Sequence, residues 1–266
     1  MLDRYNRNIN YLRISVTDRC NLRCKYCMPE SGIKLLPHKM ILTFDEIVEV
    51  VKTGIKLGIN KVRLTGGEPL VRKGIVDLVS MIWNVEGVKD LSMTTNATFL
   101  ADFAEDLKNA GLQRVNISLD TLNPETYRLT TRGGNIKYVF EGIEAAKKAG
   151  LSPIKINCVV MNSSQEKDAK EVAGFCEEND LKVRFIHQMN LSTGEFSIVE
   201  GGDGGNCVKC NRLRLTANGK IKPCLFNDLE FDVRELGVEE AYNQAVLNKP
   251  KAGTYNKSGE FYNIGG

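Results

Sequence analysis

The sequence predicts an α/β fold: an incomplete (β/α)6 barrel followed by a small C-terminal region. Three observations point to it. Short strands alternate with amphipathic helices between residues 11 and 190, each strand has one apolar and one polar face, and the alternation stops at a run of glycines. Strands are expected at 11–17, 61–65, 90–95, 114–119, 154–160 and 182–187, with helices near 44–57, 74–84, 100–110, 136–149 and 164–179 between them. In the first helix Thr43 and Glu46 have capping-box spacing, Ile47, Val48, Val51 and Ile55 form one apolar stripe, and Gly58 supplies a left-handed stop. Ser163 and Glu166 repeat the capping signal ahead of 164–179.

Strand parity carries the architecture further. Ile14 and Val16 oppose Arg13, Ser15 and Thr17, and Val62 and Leu64 oppose Lys61, Arg63 and Thr65. Leu91 and Met93 oppose Ser92 and Thr94, Val115 and Ile117 oppose Arg114, Asn116 and Ser118, and Ile154 and Ile156 oppose Lys155 and Asn157. Arg184 faces away from Val183 and Phe185. Successive strand residues point to opposite sides, so helices must cover the apolar face. A closed eight-stranded barrel fills its interior with aliphatic side chains, whereas six strands lined by Arg, Lys, Ser, Thr and Asn suggest a partial barrel around a polar cavity. Lys61, Arg63, Lys155 and Arg184 would converge there, an enclosure suited to a phosphate ester or triphosphate. The alternative is a sheet open on one side with solvated charges, an uncommon state for a parallel sheet.

After residue 190 the pattern gives way to Ser192-Thr193-Gly194 and Gly201-Gly202-Asp203-Gly204-Gly205. The expected organisation is a partial barrel over 1–190, a glycine-rich connection over 191–206 and a terminal region over 207–266. That last region has too little apolar periodicity for a core of its own. It is expected to be irregular apart from one helix near 236–247, and to pack on the open part of the barrel.

The 266 residues carry 36 Lys plus Arg against 33 Asp plus Glu, a net charge of +3, and 42% are hydrophobic. Disorder, collagen and coiled coil are excluded by this composition, and a charge this small argues for neither nucleic acid nor an anionic membrane as partner. No apolar run approaches the ~18 residues of a membrane span, and the opening Met1-Leu2-Asp3-Arg4-Tyr5-Asn6-Arg7 lacks the apolar core of a signal peptide, so a cytoplasmic location is expected.

In a reducing compartment clustered cysteines mean metal or redox chemistry more often than disulfides. Cys20, Cys24 and Cys27 form one group, Cys207, Cys210 and Cys224 another, and Cys158 and Cys176 read as small buried core residues. The first group follows directly on the first strand, at the end where barrel enzymes place their active-site loops. Structural zinc wants a fourth protein ligand, and His38 offers no familiar spacing for it. A [4Fe–4S] cluster usually takes four cysteines, so three leave one iron free to bind a small molecule.

Cys-x3-Cys-x2-Cys with Tyr26 before its last cysteine, followed by Gly66-Gly67-Glu68-Pro69 at the end of the second strand, resembles the radical S-adenosylmethionine (SAM) superfamily. The second group, Cys207-Val208-Lys209-Cys210-Asn211-Arg212-Leu213-Arg214, with Gly219 and Cys224-Leu225-Phe226, is similar to the auxiliary-cluster region of the MoaA family, the GTP 3′,8-cyclases of molybdenum cofactor biosynthesis. Arg13, Met28-Pro29, Val183-Arg184-Phe185-Ile186 and a terminal Gly265-Gly266 extend the resemblance over nearly the whole chain.

The resemblance implies SAM and two [4Fe–4S] clusters as cofactors, with Cys20, Cys24 and Cys27 holding one and Cys207, Cys210 and Cys224 the other. It implies that Tyr26, Gly66, Gly67, Glu68, Thr95, Asn96 and Ser118 surround SAM. Lys61, Arg63, Lys155 and Arg184 would bind the triphosphate of GTP, Arg13, Arg212 and Arg214 would be needed for turnover, and Gly265 and Gly266 would reach into the active site. The implied reaction begins with reductive cleavage of SAM. The 5′-deoxyadenosyl radical takes hydrogen from C3′ of GTP, C3′ adds to C8 of guanine, and reduction gives 3′,8-cyclo-7,8-dihydro-GTP. An electron donor and the synthase that makes cyclic pyranopterin monophosphate are the implied partners, and the resemblance leaves open whether the chain forms a homodimer. Two departures stand out: the stretch between Met189 and Cys207 is shorter than in MoaA proteins, and His187 stands where an acidic residue is common. The nearest rival is a related radical SAM enzyme acting on another nucleotide or a peptide. A zinc or nucleic-acid module is a more distant one.

Overall fold

The computed structural model describes residues 1–257 and 261–264. Strands β1 (Tyr11–Ser15), β2 (Lys61–Thr65), β3 (Asp90–Thr95), β4 (Arg114–Ser118), β5 (Lys155–Val160) and β6 (Lys182–His187) fall where strand parity places them. Helices α1 (Phe44–Lys56), α2 (Ile75–Trp83), α3 (Leu100–Asn109), α4 (Pro124–Thr131), α5 (Ile136–Lys148) and α6 (Lys167–Glu178) run between them. The terminal region adds β7 (Arg212–Leu215), β8 (Lys220–Lys222), β9 (Phe231–Asp232), a short turn α7 (Val233–Leu236), α8 (Val238–Leu247) and a last turn α9 (Phe261–Ile264).

One nine-stranded sheet holds all the strands, in the order β6-β5-β4-β3-β2-β1-β7-β8-β9. It is parallel from β6 through β1 to β7 and antiparallel from there to β9. It does not close, since β6 and β9 are separate edges. The terminal region was expected to be irregular beyond its helix. Instead its Arg-Leu-Arg-Leu run becomes a strand because the edge of β1 offers a partner ladder, Tyr11 to Arg212 and Arg13 to Arg214. Pairing through tertiary contact outweighs the weak local signal of four residues.

The apolar strand face is the core. Ile14, Val62, Leu64, Leu91, Met93, Val115, Ile117, Ile156 and Cys158 are fully enclosed between sheet and helices. Cys176 on α6 joins them. On α1 the capping box is present as predicted: Thr43 Oγ1 accepts from the Glu46 N–H and the Glu46 carboxylate accepts from the Thr43 N–H, together worth about 1 kcal/mol. The other capping reading is corrected. α6 begins at Lys167, and Glu166 turns its carboxylate back onto the N–H groups of Met161, Asn162 and Ser163, organising the loop after β5. α8 locks onto α1 where the Tyr242 hydroxyl donates to the Val50 carbonyl at 3.1 Å. A Cβ on Gly54 would lie 2.5 Å from that hydroxyl oxygen, so the approach of the two helices requires glycine there.

The short connection after β6 is a folded strap. Phe185 and Glu200 exchange backbone hydrogen bonds at 3.1 Å, which pairs the edge of β6, and Val199 N–H donates to the Gly204 carbonyl at 2.8 Å. Asn256 N–H donates to the Leu191 carbonyl, and Phe196 stacks on Phe226 with centroids 4.4 Å apart. The strap and the terminal region thus share a small second core of Leu191, Leu225, Phe226 and Ile264.

Candidate active site

Two cavities occupy the polar side of the sheet. The upper one, of about 190 Å³, sits at the carboxyl ends of the strands and is lined by Cys20, Cys24, Cys27, Tyr26, Gly66, Gly67, Glu68, Thr95, Asn96 and Ser118. The lower one, of about 460 Å³, lies against the strand faces and contains Arg13, Lys61, Arg63, Lys155, Arg184, Arg212 and Arg214 together with Cys207, Cys210 and Cys224. Asn157, Ile186 and Met189 line both, so the two adjoin. Every site residue expected from sequence lines one cavity or the other, except Gly265 and Gly266, which lie outside the described residues.

The first cysteine loop is held from three sides. Cys27 N–H and Met28 N–H both donate to the Cys24 carbonyl at 3.0 Å, a helical turn that turns two thiols into the cavity. Arg23 and Lys25 N–H groups donate to the Thr131 and Thr130 carbonyls, and Arg132 donates to the Arg23 and Met28 carbonyls, so the C-terminal end of α4 carries the loop. The Tyr26 hydroxyl donates to Asp120 Oδ2 at 2.8 Å while Val159 N–H donates to Oδ1 at 2.8 Å. Burial raises Asp120 to about 6.

The Gly-Gly-Glu segment has a reason within the chain besides facing the cavity. A Cβ on Gly67 would stand 2.2 Å from the Arg19 carbonyl oxygen, and one on Gly66 2.6 Å from that of Thr17. Gly67 N–H and Glu68 N–H donate to those same carbonyls at 2.8 Å. The glycines therefore lay β2's end directly against the residues leading into Cys20. Glu68, fully buried and raised to about 7 by that burial, accepts from Thr95 Oγ1 and Asn96 N–H at 2.7 Å and from Leu70 N–H at 3.1 Å.

Burial raises all three thiols of this loop. Cys24 is pushed to about 12, with Asp120 and Cys20 adding to the effect, and Cys27 goes higher still through burial and the charges of Cys24 and Cys20. The thiols of each triad share a cavity wall without closing on one ion-sized point. Soft sulfur donors without an imidazole among them suit an iron–sulfur group, whose positive iron would offset the cost of deprotonating buried thiols.

The lower cavity is built for negative charge. Among the described residues its wall carries ten Lys and Arg side chains against two carboxylates, Asp90 and Asp203. Asp90 is already clamped by Arg114 at 2.6 and 2.8 Å. The crowding shows in the protonation equilibria. Burial lowers Arg214 to about 10 with Arg212 contributing, and burial lowers Lys155 to about 8 with Arg184, Arg114 and Arg63 contributing. Most of the buried polar atoms left without a partner also gather here. They include both amide atoms of Asn116, Tyr11 Oη and Arg114 Nη1 below, with Thr94 Oγ1 and His187 Nδ1 above. Buried polar groups are normally satisfied, so their concentration on two cavity walls marks a surface shaped for a polar ligand.

Around the second triad, burial works to raise Cys210, but the Lys249 ammonium and the Arg212 N–H bring its thiol below the ordinary value. Cys224 stays raised by burial. Sequence reading passed over Arg114, Asn116 and Lys249 as site residues. The first two occupy inner-face parity positions and were accessible to that argument, whereas nothing in the sequence around Lys249 points to the cysteines.

A partial barrel with a three-cysteine loop at the carboxyl ends of its strands defines the class of the protein. A family model described as the Radical SAM superfamily matches residues 14–176, and one described as Molybdenum Cofactor Synthesis C matches residues 160–261. Among solved structures, native anSMEcpe with bound AdoMet aligns with a TM-score of 0.65 at 16% identity over 91% of this chain and 81% of that one. SuiB of Streptococcus suis bound to S-adenosylmethionine aligns at 0.64 and 16% identity, over 89% of this chain and 65% of that one. Both share the fold. Curated relatives are much nearer in sequence. GTP 3′,8-cyclase of Thermodesulfovibrio yellowstonii is 43% identical, covering 89% of this chain and 88% of its own length. Those of Petrotoga mobilis and Peptoclostridium acidaminophilum are 39% identical, over 98% and 100% of this chain and 97% and 98% of theirs. The chain belongs to the radical SAM superfamily and, within it, to the GTP 3′,8-cyclase family. These three alignments run over 282, 315 and 320 positions, more than the 266 residues of this chain, so the relatives carry residues that this chain lacks.

Proposed function

We propose that this chain is a radical SAM GTP 3′,8-cyclase, converting GTP to 3′,8-cyclo-7,8-dihydro-GTP in molybdenum cofactor biosynthesis. The observation that carries the reading is the pair of adjoining cavities, each with its own cysteine triad, the lower one densely cationic. Cys20, Cys24 and Cys27 would hold a [4Fe–4S] cluster beside SAM, and together the two supply the hydrogen-abstracting radical when bound. Tyr26, Gly66, Gly67, Glu68, Thr95, Asn96 and Ser118 form the wall against which SAM would lie. Cys207, Cys210 and Cys224 would hold a second cluster next to the nucleotide.

Lys61, Arg63, Lys155 and Arg184 take the triphosphate, fixing the nucleoside between the two triads. Arg13 on β1 and Arg214 beside it on β7 line the wall with Arg212, near the nucleotide, and are needed for turnover. Holding C3′ and C8 of one nucleotide close, away from water, is the protein's share of the reaction. The strap over 190–206 stands where the family's longer segment would be. With Val199, Gly202 and Asn206 on the cavity wall, it supplies one side of the pocket despite the shortening. An electron donor and the synthase that consumes the product are the partners this reading requires. No helix of the described residues is long and apolar enough to cross a membrane, and a cytoplasmic location fits the reading.

The test is anaerobic incubation of the iron-reconstituted protein with SAM, a reductant and GTP, following 5′-deoxyadenosine and cyclised GTP together by mass spectrometry. Both products are expected, and only with GTP present. Formation of 5′-deoxyadenosine indifferent to GTP would remove the substrate.

A pH dependence follows from Lys155. A bound polyanion favours its charged form, so GTP affinity is full below about pH 8 and falls as the pH rises past that value. Titration calorimetry on either side of that pH is expected to show the decline in the wild type and a flatter profile in Lys155→Gln. Identical profiles would contradict the placement of the phosphates.

A further inference from the structure

Lys249 is nearly fully buried, and its ammonium lies on the cavity wall beside Cys210 and Cys224. It donates to the Arg212 carbonyl at 2.7 Å and the Pro223 carbonyl at 2.6 Å, and its charge lies close to the Cys210 thiol. Arg212 lies two residues beyond Cys210, and Pro223 immediately precedes Cys224. One side chain therefore ties together the two arms that bring these cysteines to the cavity. The third arm is held in the same neighbourhood. Arg7, buried and paired with Asp3 at 2.6 Å, donates to the Cys207 carbonyl at 2.8 Å and to the carbonyls of Pro250 and Lys251, the residues that follow Lys249. The turn 249–251 is thus the hub on which all three cysteine arms converge.

The hydrogen-bond partners of Lys249 are neutral carbonyls, with cysteine sulfur nearby. No carboxylate among the described residues forms an ion pair with it, unlike Arg7. A buried cation needs a nearby anion to hold its charge. Three thiolates bound to a cluster would supply one, and the charge next to the sulfurs sets the potential of such a cluster.

We propose that Lys249 is the positioning residue of the auxiliary cluster: it clamps the Cys210 and Cys224 arms through their backbone carbonyls and places one uncancelled positive charge against the cluster sulfurs, raising its potential. The inference rests on the second cluster proposed above.

The experiment compares wild type, Lys249→Gln and Lys249→Met after anaerobic reconstitution, by iron and sulfide content and by potentiometric EPR titration. Glutamine keeps N–H donors without the charge, and methionine removes both. Lys249→Met is expected to fall to about half the wild-type iron and sulfide, losing the second cluster alone, with the first cluster's signal as the internal sign that the chain has folded. Lys249→Gln is expected to retain both clusters, with the second one's midpoint shifted to more negative potential and the first one's unchanged. Full loading of Lys249→Met together with a wild-type midpoint in Lys249→Gln overturns the role of Lys249 while leaving the cluster itself standing. Equal loss of both clusters in both variants also overturns it, since the lysine would then support the whole fold. A wild type that binds a single cluster overturns the two-cluster reading and this inference together.

Discussion

Cys24→Ala abolishes 5′-deoxyadenosine formation, whereas Cys210→Ala still forms it at a reduced rate and yields no cyclised GTP. The expectation follows from the separation of the two triads. Cys24 lies in the upper cavity with Cys20, Cys27 and the Gly-Gly-Glu wall, and its loop hangs on the end of α4 and on the Tyr26–Asp120 hydrogen bond. If these three thiols hold the cluster, removing one leaves too few thiolates for it, and cleavage of SAM falls to background. Cys210 lies in the lower cavity, where Arg7 and Lys249 hold the surrounding backbone through carbonyls, so the upper loop stays intact when that thiol is lost. The nucleotide then loses its fixed position against the radical, and proximity is what the ring closure depends on. Mass spectrometry of both products, with iron content measured alongside, separates the two outcomes. Equal loss of both steps in both variants would contradict this division of labour.

Much of this site was legible because period-two alternation survives in short strands. Arg13, Lys61, Arg63, Lys155 and Arg184 were placed on one face by parity alone, and they do line one cavity. The same argument reached Arg114 and Asn116, whose importance emerges only when burial leaves their polar atoms without partners. Other features depend on contacts distant in sequence. β7 is a strand because β1 has a free edge, and α4, with Asn123 as its cap and Pro124 in its first turn, matters because its end carries a loop a hundred residues earlier. Lys249 has no local signature at all, since its role comes from carbonyls supplied by β7 and by the residue before Cys224. The resemblance sets Gly66 and Gly67 around SAM, and in the fold they also make room for Thr17 and Arg19. A motif can be located by sequence, but the neighbour that requires it is visible only in three dimensions.

Arg63→Met weakens GTP binding roughly 10- to 150-fold, the cost of one charged hydrogen bond at about 1.5–3 kcal/mol, and it does so without destabilising the ligand-free protein. The two halves of this expectation have one cause. Arg63 is buried on the inner face of β2, with its guanidinium 5.5 Å from the Tyr11 ring and its Nε donating to Ser92 Oγ at 3.2 Å. Burial lowers its proton affinity, and Arg114, Arg184 and Arg212 lower it further. In the free protein that charge is held against desolvation and like-charge repulsion, so a methionine of similar length relieves both while keeping the packing against Tyr11. With a triphosphate in the cavity the same charge becomes favourable, and its loss is felt in full. Calorimetric titration with GTP and a thermal melt without it read the two effects separately, with Lys52→Met on the exposed side of α1 as a control for net charge. An unchanged GTP affinity would move the phosphates elsewhere. A lowered melting temperature would make Arg63 a structural residue of the sheet. A weaker affinity with an equal or higher melting temperature is the signature of stability given up for the site, because the basic wall of this cavity is strained until its polyanion arrives.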